Sequence, residues 1–211
     1  MALDLTSLVD PRHTALLIME CQVGIVENGG RLNALAEAVR RHDTLGHVGR
    51  ALAGARRAHV PVFYLTVARR EDSAGSTANC LLLALGRKGT PLVLGSPQQA
   101  VVASLAPRAG DFIVNRFHGV TPFHAGELDQ LLRNCGVRTV VVTGVSVNIG
   151  IPGIAIEAVN CGYQVVIPRG AVTGTPDTHV ESMFEHTLRL LATITTVAEL
   201  EQAWRVTSPS A

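Results

Sequence analysis

The chain has 211 residues, 47% of them hydrophobic and 17% charged, a balance that fits one globular domain with a substantial core. Eighteen basic residues against 17 acidic ones leave a net charge of +1, which gives no electrostatic case for a nucleic-acid or anionic-membrane partner. No stretch approaches the roughly 18 apolar residues of a membrane span. Met1-Ala2-Leu3-Asp4-Leu5-Thr6 has neither the basic nor the apolar region of a signal peptide, so the expected compartment is the cytoplasm. Lys88 is the only lysine, so lysine chemistry must use that residue or be absent.

Taken in chain order, six apolar, β-branched-rich segments alternate with helical patterns. The predicted strands are Ala15–Glu20, Val60–Thr66, Asp111–Asn115, Thr139–Thr143, Gln164–Pro168 and Thr193–Val197. Helical spacing joins Leu32, Leu35, Ala36 and Val39, and again Leu45, Val48, Leu52 and Ala55. It recurs at Leu128, Leu131 and Leu132, and at Val180, Met183, Phe184, Thr187, Leu188 and Leu191. Strands alternating with helices predict a parallel sheet with helices on both faces, a three-layer α/β/α sandwich of Rossmann-like type. Right-handed crossovers then bring all the strand C-terminal ends to one edge.

Residues 67–97 break the alternation. Gly75, Ser76, Gly86, Gly89, Pro91, Gly95 and Pro97 interrupt a short apolar run at Leu81–Leu85. So long a connection is expected to be a lid or an oligomer contact. Of the four cysteines, Cys135 and Cys161 lie in matching Asn-Cys-Gly contexts, where a helix ends at glycine, and are expected to be buried small residues. No CxxC occurs, and a disulfide framework is not expected. The tail after Trp204 is expected to fray.

The stretch from Thr139 to Pro152 organises the rest. Thr139-Val140-Val141-Val142 suits a strand covered on both faces. A glycine turn follows, then a helix that Asn148 can cap and in whose first turn Pro152 is tolerated. Ile151, Ile154, Ala155, Ala158 and Val159 form its apolar stripe. Backbone N–H groups at such a helix start point into the crevice above.

In open α/β sheets that crevice, at the strand carboxyl ends, is where ligands bind. Reading off the strand ends gives Glu20-Cys21-Gln22, Arg69-Arg70, Arg116-Phe117-His118, Ser146 to Gly150, and Arg169-Gly170. A carboxylate, a guanidinium and a helix N-terminus thus converge. No HExxH or His-x-His occurs, and no Asp-x-His suggests a metal at these strand ends, so no metal is expected. Without a GxGxxG after a strand or a Walker A loop, no nucleotide cofactor is expected either. Ser146 lacks the G-x-S-x-G setting of a hydrolase serine.

Over roughly residues 12 to 200 the chain resembles the isochorismatase-like (cysteine hydrolase) superfamily. Ala15-Leu-Leu-Ile-Met-Glu-Cys-Gln22 resembles its first strand, which ends in Asp-x-Gln. Pro122-Phe123 and Leu128 to Gly136 resemble the segment before the fourth strand. Gly144-Val-Ser-Val-Asn-Ile-Gly150 resembles its G-V-x-T-x-x-C turn, and Gly162-Tyr-Gln-Val165 the following Gy-x-V. The resemblance implies a single domain around a six-stranded parallel sheet, and a homodimer or homotetramer.

It also implies a site. The family's amidases use Asp, Lys and a Cys nucleophile; here those positions hold Glu20, Arg116 and Gly150. Glycine supplies no thiolate, so amidase chemistry through cysteine is not expected. The family's true isochorismatases hydrolyse a vinyl ether and carry glycine at that turn. By that resemblance Glu20 is the expected acid, Arg116 the binder of a substrate carboxylate, and Gly150 the opening in the turn. Gln22, Phe123, Ser146, Val147 and Asn148 are the candidate substrate- or oxyanion-binding residues. The expected function is hydrolysis of a small carboxylated metabolite without a cysteine nucleophile. The alternative is a fold that has lost catalysis and binds a small anion or a protein partner, since all three amidase positions differ and Gly170 stands where an acidic residue is usual. A relocated nucleophile at Cys21 or Ser146 is a third reading.

Overall fold

A computed structural model describes residues 4–27, 33–87, 91–124 and 126–207. In chain order the elements are α1 (Leu5–Leu8), β1 (Thr14–Met19), α2 (Asn33–Arg41), α3 (Thr44–Arg57), β2 (Val62–Val67), α4 (Leu81–Arg87) and β3 (Phe112–Arg116). There follow α5 (Leu128–Asn134), β4 (Thr139–Val145), α6 (Gly150–Asn160), β5 (Gln164–Arg169), β6 (Val172–Thr173) and α7 (Asp177–Met183). After a π-turn at Phe184–Leu188 come α8 (Arg189–Leu191), β7 (Thr193–Thr196) and α9 (Val197–Thr207).

The sheet runs β3-β2-β1-β4-β5-β7, and every pairing in it is parallel. All six predicted strands are present, with ends moved by one or two residues. The two-residue β6, paired with β4, is an addition that its single Val-Thr pair did not announce.

β1 shows why this is a three-layer fold. Period-two alternation sends Leu16 and Ile18 to one core, with Val48 and Leu52 of α3 and Leu200 and Trp204 of α9. It sends Ala15, Leu17 and Met19 to the other, with Leu128 and Leu132 of α5 and Ile151, Ile154 and Ala155 of α6. A strand buried on both faces needs the near-continuous apolar sequence that β1 and β4 have.

Four local expectations need correction. Asn148 does not cap α6; Ile149 occupies that position without a side-chain cap bond, because the Asn148 amide is engaged elsewhere. Val159 is 42% exposed, so the buried stripe of α6 ends at Ala158. Cys135 is exposed and Cys161 half-buried, since each stands at the C-cap of its helix and not inside an element, although Gly136 and Gly162 do take the expected positive φ. The C-terminal segment is helical through Thr207, anchored by Trp204, which is 1% exposed and donates its indole N–H to Val9 O at 3.0 Å. Leu32, Lys88, Gly89 and residues 208–211 of the tail lie outside the described residues.

The 67–97 connection packs at the carboxyl edge. Its helix α4 has no buried residue, and Leu81, Leu82 and Leu85 are exposed. Ser76 donates to Phe117 O at 2.8 Å, and the Arg69 guanidinium to Gly86 O, which fastens the strap beside the end of β3. Among the described residues no helix is long and apolar enough to cross a membrane.

Candidate active site

The chain runs outward from β1 through β2 to β3, then returns to β4 on the other side of β1. The carboxyl ends of β1 and β4 therefore flank the topological switch point, where a parallel sheet leaves a crevice. Glu20 follows β1 directly, and Ser146 to Gly150 follow β4.

Glu20 sits in the left-handed region at φ +51°. For a non-glycine residue this costs about 1–3 kcal/mol and persists only when its surroundings hold it. Its N–H donates to Leu65 O at 2.9 Å, and its carbonyl accepts from Gln22 N at 2.8 Å.

Arg116 ends β3, and β2 lies between it and β1. Two inter-strand spacings are about 9.5 Å, so only two long side chains can meet across them. They do: Arg116 Nη2 donates to Glu20 Oε1. Nε donates to Gly119 O at 3.1 Å, while the buried Nη1 has no protein partner. Arg116 is 4% exposed, and the Glu20 side chain keeps 17%. Removing one member of so buried a pair leaves an uncompensated charge, at about 3–5 kcal/mol. Because guanidinium only donates, Oε1 accepts, and any proton on Glu20 sits on Oε2.

The β4–α6 turn closes against β1 through two glycines. A Cβ on Gly144, at φ +98°, would stand 2.1 Å from Met19 O, so no other residue allows this approach. A Cβ on Gly150 would stand 3.1 Å from Met19 Cε and 3.3 Å from Val145 O, tight but relieved by movement of the methionine end. The Met19 side chain thus packs directly against Gly150. As the first residue of α6, Gly150 has an N–H without an intrahelical acceptor.

The other candidates mostly hold the frame. Gln22 is fully buried; its amide donates to Val67 O at 2.9 Å and Gln99 O at 2.8 Å and accepts from Val67 N at 2.8 Å. With both N–H groups used, it ties β1, β2 and the 97–101 loop together instead of facing a ligand. Val147 has its side chain buried and its N–H on Thr173 O at 2.9 Å, so it is not an oxyanion donor. Asn148 clamps the backbone of Thr175, donating to its carbonyl at 2.6 Å and accepting from its N–H at 3.0 Å. Phe123 belongs to the core beside Tyr163, ring centroids 6.0 Å apart. Ser146 is half-buried, and its carbonyl accepts from Ile151 N at 3.0 Å.

The relocated cysteine finds no support. Cys21 is 3% exposed, and burial, with the adjacent Glu20 carboxylate, pushes its thiol up to about 12, the reverse of what a nucleophile needs. Arg70 pairs with Asp72, and Arg169 with Glu181 while lying over the Phe184 ring, so neither joins the crevice. Among the described residues no group of three His, Cys, Asp or Glu side chains is placed to hold a metal. Sequence reasoning missed Gly119, whose carbonyl steers Arg116, and Met19. A glycine three residues past an arginine was the available signal for the first; nothing marked the second.

The Isochorismatase domain family matches residues 14–199 of this chain. An uncharacterized isochorismatase family protein, YecD, from Escherichia coli O157:H7 is 26% identical over 196 residues, covering 92% of this chain and 98% of its own. Ureidoacrylate amidohydrolase RutB from Enterobacter sp. strain 638 is 26% identical over 154 residues, 66% of each. Among solved structures, a cysteine hydrolase from Pseudomonas syringae pv. phaseolicola 1448A superposes with a TM-score of 0.82 at 23% identity, covering 95% of this chain and 96% of that one, a likeness of fold. The parallel sheet, with Glu20 and Arg116 meeting at its carboxyl edge, and a family match over most of the length lead to one assignment: the chain belongs to the isochorismatase family of hydrolases.

Proposed function

We propose that the protein hydrolyses a small carboxylated metabolite by acid and electrostatic catalysis, without a cysteine nucleophile. The observation that carries this reading is the Glu20–Arg116 contact at the switch point, next to a turn whose reactive position is Gly150. The chemistry that suits this set is cleavage of an enol ether. Glu20 gives its proton to the terminal enol carbon, producing an oxocarbenium ion. Water adds to that cation and returns a proton to Glu20; the hemiketal then breaks its ether C–O bond, releasing a ketone and an alcohol. Arg116 anchors the substrate carboxylate, and the Gly150 N–H at the helix start supports the negative charge that Glu20 takes on when it gives up its proton.

A separation of the two side chains beyond about 6 Å, out of direct charge interaction, would have favoured the binding-only alternative; their hydrogen bond withdraws that support. Within this reading the compartment is the cytoplasm, supported by four unpaired cysteines. The assembly is a homo-oligomer, supported by the bare leucines of α4.

The test is a panel of carboxylated enol ethers and carboxylated amides, given to the wild type and to a variant with all four cysteines changed to serine. Enol ether turnover that survives the loss of every thiol supports the reading. Turnover of amides alone, abolished in the cysteine-free variant, would overturn it.

A further inference from the structure

The Glu20–Arg116 pair has a charge balance that constrains any anionic ligand. Among the described residues Arg116 carries the one positive charge in contact with Glu20, and the pair as it stands is neutral. Its Nη1 is nevertheless a buried donor without a partner, the kind of group that calls for an acceptor from outside. Glu20 is the more exposed partner, 17% against 5% of side chain, so an incoming carboxylate lies against Glu20 on its way to the guanidinium.

Two carboxylates on one guanidinium leave a net negative charge in a desolvated place, and like charges at contact do not both stay ionised. Among the described ion pairs Glu20 has no second cation; Arg69, just past the end of β2, gives its guanidinium to Gly86 O. Cys21, the chain neighbour of Glu20, is a buried neutral thiol. Thr66 and Val67, at the end of β2, are not titratable. His118, on the loop after Arg116, turns its Nδ1 to the Thr77 N–H at 3.5 Å, toward the 67–97 strap. From α6 there is only the partial positive charge of the helix start at Gly150.

We infer that the site binds a carboxylate together with one proton, which the ligand's arrival places on the free Glu20 oxygen beside Arg116. Resting on the reading that the ligand carboxylate goes to Arg116, this explains how a carboxylate ion-paired at rest becomes the acid of the reaction. The substrate arms it. The ligand class is narrowed accordingly: small carboxylates bind with proton uptake, while a neutral amide of the same shape binds Nη1 through its carbonyl without uptake.

The experiment is calorimetric titration of the whole protein with benzoate, and with benzamide as the neutral isostere. It is run in phosphate and in Tris at one pH, and the benzoate series is repeated from pH 6 to 8. The dependence of the observed heat on buffer ionisation enthalpy counts protons taken up. The expected result is close to one proton per benzoate and none for benzamide, with benzoate affinity falling about tenfold per pH unit, the slope of a one-proton linkage. In Glu20→Gln, which removes the charge and keeps the shape, benzoate is expected to bind at pH 8 about tenfold or more tightly than in the wild type and without proton uptake. Benzoate binding with no proton uptake, no saturable binding at millimolar benzoate, or uptake that persists in Glu20→Gln overturns the inference. The catalytic reading fails separately: uptake without turnover of any enol ether sinks the hydrolase and leaves the linkage standing, and turnover without uptake does the reverse.

Discussion

Replacing Arg116 with methionine isolates what the buried pair contributes to the fold. Methionine keeps much of the aliphatic stem but loses the bonds to Glu20 and to Gly119 O, leaving the Glu20 carboxylate without its cation. Breaking a buried pair costs about 3–5 kcal/mol; with 17% of the Glu20 side chain exposed, water recovers part of that, and about 3 kcal/mol is expected. For a chain of this size about 2–4 °C accompanies each kcal/mol, so Tm should fall by about 6–12 °C. Glu20→Gln leaves an amide oxygen able to accept from Arg116 and should cost less, about 1–2 kcal/mol. In the double variant neither charge is stranded, so the two losses should fail to add by about 1.5–3 kcal/mol. Urea unfolding followed through Trp204, the single tryptophan, reads all four proteins. If Arg116→Met unfolds within about 0.5 kcal/mol of the wild type, the ordinary range for a surface change, or if the losses simply add, the pair does not hold the site as described.

Iodoacetamide at pH 8 should label the exposed Cys80 and Cys135 and leave native Cys21 untouched, as mass spectrometry would register, because its thiol is pushed up to about 12. The sign for stability follows: Cys21 ionises more readily in the unfolded chain, so its contribution is whole below the ordinary value near 9 and is lost as pH rises towards 12. Gly150→Cys should fold with a loss of about 1–3 kcal/mol, since Met19 must shift by tenths of an ångström. The new thiol, at a helix start, should alkylate well before Cys21; a variant labelled only at Cys80 and Cys135, as the wild type is, would show that the turn is not open to reagent. Trp204→Ala should cost about 3–5 kcal/mol through the loss of its packing and of the bond to Val9 O, and a change under about 1 kcal/mol would contradict the anchoring of α9.

Much of this was legible in the sequence because period and composition carry it. β1 and β4 are apolar along their whole length, as strands with helices on both faces must be, and the alternation of strands with helices allowed few topologies. From those two facts the carboxyl edge followed, and with it Glu20, Arg116 and the Ser146–Gly150 turn. What the sequence left hidden is how side-chain amides and backbone N–H groups are spent. Gln22, Val147 and Asn148 stand at the right ends of the right strands, yet each is consumed by a bond to a segment remote in sequence, Val67 and Gln99, Thr173, and Thr175. Such pairings depend on loop paths that have no periodicity. Asn148 illustrates the competition, since its amide satisfies two groups of Thr175 and so is not available to cap α6. Cys135 and Cys161 were misjudged because small size argues for burial only inside an element, and both stand at helix ends.

The account rests on Glu20 as the proton donor, and one comparison tests it most directly: kcat for hydrolysis of a carboxylated enol ether by the wild type and by Glu20→Gln. Loss of a general acid costs about 100- to 10,000-fold, so a fall of at least 100-fold is predicted in a variant that remains folded. Turnover by Glu20→Gln equal to that of the wild type would contradict it.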